Sequence, residues 1–144
     1  MEIRVQRLDA QLPLPTAQHD HDAGYDLHAR EDVTLAPGGG RAIVPTGIVI
    51  AVPPGYAGFV LPRSGLALHR GVSIINTPCT IDSDYRGEIR IPLINFDREP
   101  QEIAHGERIA QLLLARVVRI EWVEVSQLPA SGRGSSGFGS TGAH

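Results

Sequence analysis

Apolar residues in this chain come in short runs cut by proline and glycine. "RAIVPTGIVIAV" (41–52) and "YAGFVL" (56–61) are β-rich and are separated by a Pro-Pro-Gly turn, which predicts strands on either side of it. In "GEIRIPLINF" (87–96), Ile89, Ile91 and Leu93 fall on one face and Glu88 and Arg90 on the other, a period of two. "RVVRIEWVEV" (116–125) alternates in the same way, Val118, Ile120 and Trp122 against Arg119, Glu121 and Val123, and predicts a further strand. In "HGERIAQLLL" (105–114), Gly106 and Glu107 read as a turn before a buried strand. Many short strands with frequent turn signals predict an all-β sandwich, barrel or jelly roll. One segment, "SGLALHRG" (64–71), fits a short helix, with a serine suited to cap its start and a glycine suited to end it. From Ser126 onward the strand pattern stops, and the last thirteen residues include five glycines. The expected organisation is a β-domain over 1–125 followed by a flexible Gly/Ser-rich arm over 126–144.

The 144 residues suit one domain, and 42% apolar residues support a real core. Aromatics are only 5%, so aliphatic side chains must supply most of the packing. The net charge of -3 gives no electrostatic reason to expect a nucleic-acid partner. No apolar run approaches membrane-spanning length and no charged-then-apolar leader opens the chain, so a soluble, cytoplasmic protein is expected. The single cysteine, Cys79, excludes an internal disulfide and a cysteine-rich zinc site. All thirteen basic residues are arginines. Without lysine, Schiff-base catalysis and a Walker-type phosphate loop are excluded. Arginine presents a planar, permanently charged fork that suits phosphate oxygens.

Polar residues gather in four internal stretches. "HDHDAGYDL" (19–27) admits a metal through His19 and His21, but the spacing matches no strong metal signature and a solvated acidic loop fits as well. Within it, Asp26 stands between Tyr25 and Leu27, where the apolar pattern resumes. It either satisfies a nearby backbone amide or faces a site. In "LPRSGLA" (61–67), Arg63 would flank the amides of a helix start and Ser64 could donate a hydroxyl, an arrangement suited to an anion or to an ordinary cap. "NTPCTIDSDYRGE" (76–88) crowds Asn76, Asp82, Asp84, Tyr85 and Arg86 into a turn between two strands. That turn could offer backbone groups to a flat ligand and a carboxylate base to water, or simply be turn chemistry. Gln111 is a polar residue inside an apolar run and must find a partner or a site. Near the end, "RGSSGFGSTG" (133–142) places one arginine and one phenylalanine in an otherwise linker-like stretch.

In order, "AGYDLHA" (23–29), "PRSGLA" (62–67), "NTPCTIDSDYRGE" (76–88), "GERIAQLLL" (106–114) and "RGSSGFGSTG" (133–142) resemble the five motifs of the homotrimeric dUTPase family. The resemblance implies a jelly-roll subunit and a threefold homotrimer whose three active sites lie between subunits. It implies hydrolysis of dUTP to dUMP and pyrophosphate by water attack on the α-phosphorus, which limits uracil in DNA and supplies dUMP for dTMP synthesis. Mg²⁺ is expected on the three phosphates, with Asp26 holding the metal's waters. Asp82 looks like the residue that orients and deprotonates the attacking water. Arg63, Ser64, Gly65 and Gln111 look like phosphate-side contacts, Asn76 like the uracil reader, and Tyr85 like the ring under the deoxyribose. Arg133 and Ser135 look like arm contacts to the phosphates, and Phe138 like a lid over uracil. Cys79 stands where the family usually has a smaller residue, most often glycine, and should be tolerated because it is small. The alternatives are a dCTP deaminase of the same fold and a non-catalytic nucleotide-binding module.

Overall fold

The structure, a computed structural model, describes residues 1–132, 134 and 135. Among the described residues, eleven strands and one helix follow in order: β1 Arg4–Arg7, β2 Tyr25–His28, β3 Val33–Leu35, β4 Gly40–Pro45, β5 Ile48–Ala51, β6 Tyr56–Pro62, α1 Ser64–Arg70, β7 Val72–Ile74, β8 Cys79–Ile81, β9 Arg90–Asn95, β10 Gln101–Ile103 and β11 Arg108–Arg116. Every pairing between them is antiparallel. The strands form a four-stranded sheet in the order β2-β11-β6-β8, a three-stranded sheet β4-β9-β7, and the pairs β1-β5 and β10-β3. This is the jelly-roll class expected from the patterning.

The core between the sheets is aliphatic, as the scarcity of aromatics requires. Leu27, Val44, Val60, Ile91 and Ile109 are buried within it. Of the buried polar side chains, Asn95, fully buried, donates from Nδ2 to the carbonyls of Leu35, Ala36 and Glu99 and accepts the Asp97 N–H at 2.8 Å. A buried amide is tolerable because its bonds are made.

Three expectations need correction. The run 41–52 is two strands, because the chain turns at Thr46 and Gly47, where Glu88 Oε1 accepts the Gly47 N–H at 2.8 Å. Ser64 is the first helical residue and not the cap. Arg63 occupies the cap position, with no side-chain cap hydrogen bond, while Gly71 ends the helix in the left-handed region at φ 60. The strand expected over 116–125 is absent: β11 ends at Arg116, and 117–125 is irregular. The alternation is present but has nothing to pack on among the described residues, so Val118, Ile120 and Trp122 stand exposed, Trp122 at 87%. Among the described residues, no helix is long and apolar enough to cross a membrane.

Candidate active site

Strand β2 is short and its side chains alternate between faces. Leu27 turns into the core, and Asp26 faces β11 across from Gln111. Asp26 is buried, 3% exposed, which a carboxylate tolerates only when it is paired. Arg63, at the junction of β6 and α1, brings its Nε to 3.2 Å from Asp26 Oδ1. Arg108, at the start of β11, donates from Nη1 to Asp26 Oδ2 at 3.1 Å. Arg63 Nη1 also donates to the Arg108 carbonyl at 3.2 Å. The Arg63 Nε–H is close to Asp26 but not aligned with it, and it has no acceptor among the described residues. Two guanidiniums therefore share one carboxylate, which leaves a net positive charge at this point.

The cluster forms one wall of an open cleft of about 710 Å³ lined by His28, Arg63, Gly65, Arg70, Glu107 and Arg108. Burial holds the His28 imidazole below its ordinary range against the opposing pull of Asp26, and the nearby charges of Arg108 and Arg63 add to the depression. Arg63, Arg70 and Arg108 supply permanent positive charge to the cleft. Gln111 resolves its place in the apolar run by lying against Gly24, where an added Cβ would stand 2.8 Å from Gln111 Oε1. Ser64 and Gly65 are exposed at the first turn of α1, and Gly65 lines the same cleft.

The structure sets Asp26 beside Arg63 and opposite Gln111, and places Arg63 and Gly65 on the cleft. It does not bring Asp82, Asn76 and Tyr85 to them in the same way. Strands β7 and β8 lie in different sheets, so the polar residues of 76–88 flank β8 rather than cap one hairpin. Gly58 pairs with Ile81, which sets Asp82 opposite Ala57, six residues before Arg63. At the rise of an extended strand that separation is about 20 Å. Asp82 is exposed. Tyr85 donates its hydroxyl to the Glu88 carbonyl at 3.0 Å, and its ring lies so close over Gly87 that a Cβ there would stand 2.3 Å from the Tyr85 oxygen. Cys79 occupies an ordinary strand position opposite Val60, half-buried against the core, so no glycine is needed there. Ser135 is exposed in a turn, and the roles expected of Arg133 and Phe138 fall outside the described residues.

Sequence reasoning missed Arg108. Its only sequence signal was its position three residues before Gln111, and nothing along the chain linked it to Asp26, eighty-two residues away. It also missed Arg70 and Glu107, which pair at 2.5 Å on the same cleft. No group of three or more His, Cys, Asp or Glu side chains that could hold a metal occurs among the described residues. The loop His19–Asp22 is closed by its own bonds, with Asp22 accepting the His19 N–H at 3.0 Å.

Comparison with known proteins agrees with this geometry. The family model described as dUTPase matches residues 10–142. A deoxyuridine 5'-triphosphate nucleotidohydrolase from Thermobifida fusca is 53% identical over 145 residues, covering 100% of this chain and 80% of the relative. One from Corynebacterium jeikeium is 56% identical over 144 residues, covering 97% of this chain and 92% of the relative. Among solved structures, a Staphylococcus bacteriophage 80alpha dUTPase with dUPNHPP superposes with a TM-score of 0.90 at 28% identity, covering 99% of both chains. A match that spans both the arginine cleft and the strand β8 segment leaves one reading of the fold and its ancestry: the chain belongs to the dUTPase family.

Proposed function

We propose that the protein hydrolyses dUTP to dUMP and pyrophosphate, with the polyphosphate in the cleft beside Arg63, Gln111 and the first turn of α1. The observation that carries this reading is the pair of guanidiniums on the single carboxylate of Asp26. A site with surplus positive charge suits a ligand made of anionic oxygens. Arg63 and Ser64 bind phosphate oxygens, Gly65 lets its backbone approach them, and Gln111 orients them. Asn76 reads the uracil edge, and Tyr85, pinned by Glu88 and Gly87, excludes a 2′-hydroxyl.

Asp82 acts as the general base. Its carboxylate takes a proton from water, the water oxygen bonds to the α-phosphorus, the bridging P–O bond to the β-phosphate breaks, and its electron pair leaves on pyrophosphate. No protein nucleophile is required. Arg63, joined by Arg133 of the arm, neutralises charge building on the phosphate oxygens, and Ser135 and Phe138 close the other end of the ligand. The donor set suits Mg²⁺ only as an ion that arrives on the substrate. One carboxylate between two arginines is too poor a ligand for a resident metal but can accept hydrogen bonds from metal-bound water. In that position Asp26 would hold the ion's waters, and Mg²⁺ would screen the phosphates and favour the leaving pyrophosphate.

The distance along β6 between Asp82 and Arg63 supports active sites completed by neighbouring subunits, hence a homotrimer. So does the exposed apolar face of 117–125, which needs a surface to cover it. An apolar groove of about 580 Å³ between Ile3, Val5, Tyr25 and Leu112 offers such a surface on a second copy. The proposed working compartment is the cytoplasm, with no nucleic-acid or membrane partner.

Pyrophosphate release from a panel of deoxynucleoside triphosphates, with and without Mg²⁺, tests the reading. Release from dUTP alone is expected. Ammonia release from dCTP with dUTP untouched would identify a deaminase and defeat it. Asp82→Asn should still bind nucleotide and lose most turnover, and unchanged turnover would remove Asp82 from its role.

A further inference from the structure

Helix α1 carries Ser64 and Gly65, yet little of its own holds it in place. It is seven residues long, buries only Leu66, and lacks a side-chain cap. A helix this short is marginal alone. Its ends are tied by two arginines to the segment that runs through β10 into β11. At the N-terminal end, Arg63 Nη1 donates to the Arg108 carbonyl at 3.2 Å. At the C-terminal end, Arg70 uses all three guanidinium nitrogens. Nε donates to Gln101 Oε1 at 2.9 Å, Nη1 to Glu107 Oε1 at 2.5 Å, and Nη2 to the Glu102 carbonyl. The other oxygen of Glu107 accepts the Ala104 N–H at 3.1 Å, so the carboxylate is held from both sides. The Arg70 and Glu107 side chains are 31% and 26% exposed, and a half-buried, multiply bonded guanidinium constrains geometry more than a free surface pair does.

We propose that Arg70 is a positioning residue for the polyphosphate. By clamping the C-terminal end of α1 to Glu107, it sets the spacing between the Ser64–Gly65 backbone and the Arg108 and Gln111 side chains on β11. The inference rests on the dUTP-hydrolase reading above. Glu107 directly precedes Arg108, so the clamp acts on the strand that carries Arg108 and Gln111. The residues around β8 lie toward the other end of β6. Loss of the clamp should therefore weaken binding of a polyphosphate much more than binding of a monophosphate.

Calorimetric titration of the full chain with the non-hydrolysable analogue dUpNHpp and, separately, with dUMP tests this. For Arg70→Met, affinity for dUpNHpp should fall about tenfold and affinity for dUMP by at most about threefold, since small misplacements at a binding site carry losses of that order or more. Arg70→Lys, which keeps the charge but loses the fork, should recover part of the difference. Glu107→Gln should show the same selectivity and serves as the second probe if Arg70→Met does not fold. Equal losses for both ligands, or no loss for dUpNHpp, would overturn the assignment. Turnover of dUTP by the unmodified protein is read in parallel. An unmodified protein that binds dUpNHpp but releases no pyrophosphate refutes the hydrolase and leaves the Arg70 comparison standing.

Discussion

The Arg108 guanidinium and the Asp26 carboxylate meet across the β2–β11 pair at 3.1 Å, Nη1 to Oδ2. Because Asp26 is buried and also pairs Arg63, this contact joins β2, the junction of β6 with α1, and the start of β11. Three segments far apart in sequence are held by one carboxylate.

Asp26→Asn keeps the size of the side chain and removes its charge, which leaves two guanidiniums facing each other. Breaking a buried ion pair is costly, and partial exposure of both arginines reduces the loss to about 2 kcal/mol. Urea denaturation should report that loss, and dUTP turnover should drop with it. A variant as stable as the parent would show that the arginines find other partners.

Gly24→Ala separates function from stability. The new Cβ would meet Gln111 Oε1 at 2.8 Å and Gln111 Cβ at 3.1 Å. The end of a flexible side chain can move aside, so the melting temperature should change little. The displaced Gln111 should lower kcat/KM for dUTP by about tenfold. Full activity would mean that Gln111 does not touch substrate.

Gly87→Ala acts on sugar selection. A Cβ there would stand 2.3 Å from the Tyr85 oxygen and 2.6 Å from its ring, so the ring must shift and release the Glu88 carbonyl. The rate with UTP relative to dUTP should rise about tenfold, the scale on which one displaced contact relaxes discrimination. An unchanged ratio would remove Tyr85 from the role of excluding ribose.

The pH dependence of stability has a predictable component at Asp9. The Gln11 N–H, donated at 2.9 Å, holds its carboxyl below the ordinary range, and His105, 3.3 Å away, adds to the effect. A carboxyl depressed in the folded state adds stability above its unfolded pKa and loses it as pH falls through the folded value. The parent should therefore melt above Asp9→Asn near neutral pH, and the gap should narrow as pH falls below about 4. A gap that stays constant to low pH would show that charge at Asp9 contributes nothing.

The sequence carried more of the fold than of the site's construction. Period-two runs such as Ile89–Ile91–Leu93 mark strands directly, because one face of a sheet must be apolar wherever it packs. The helix over 64–70 was legible from its composition, but the capping role of Ser64 was not, since the exit of β6 into the turn decides which residue has the non-helical backbone. The alternation of 116–125 misled for a related reason. It marks a chain that can be a strand, whereas a strand also needs a neighbour to pair with, and the described residues supply none.

By itself, the sequence determined the chemistry available to this protein. Its basic side chains are all arginine, its polar residues fall in a fixed order of stretches, and its aliphatic alternation commits it to layered sheets. Only the tertiary structure decided which of those residues meet. The Asp26–Arg63–Arg108 cluster and the Arg70–Glu107 clamp join residues thirty-seven to eighty-two positions apart. Local pattern records the environment that a residue needs, such as burial or a turn. Long-range pairing depends on strand register and sheet order, and each of those is a property of the packed chain as a whole.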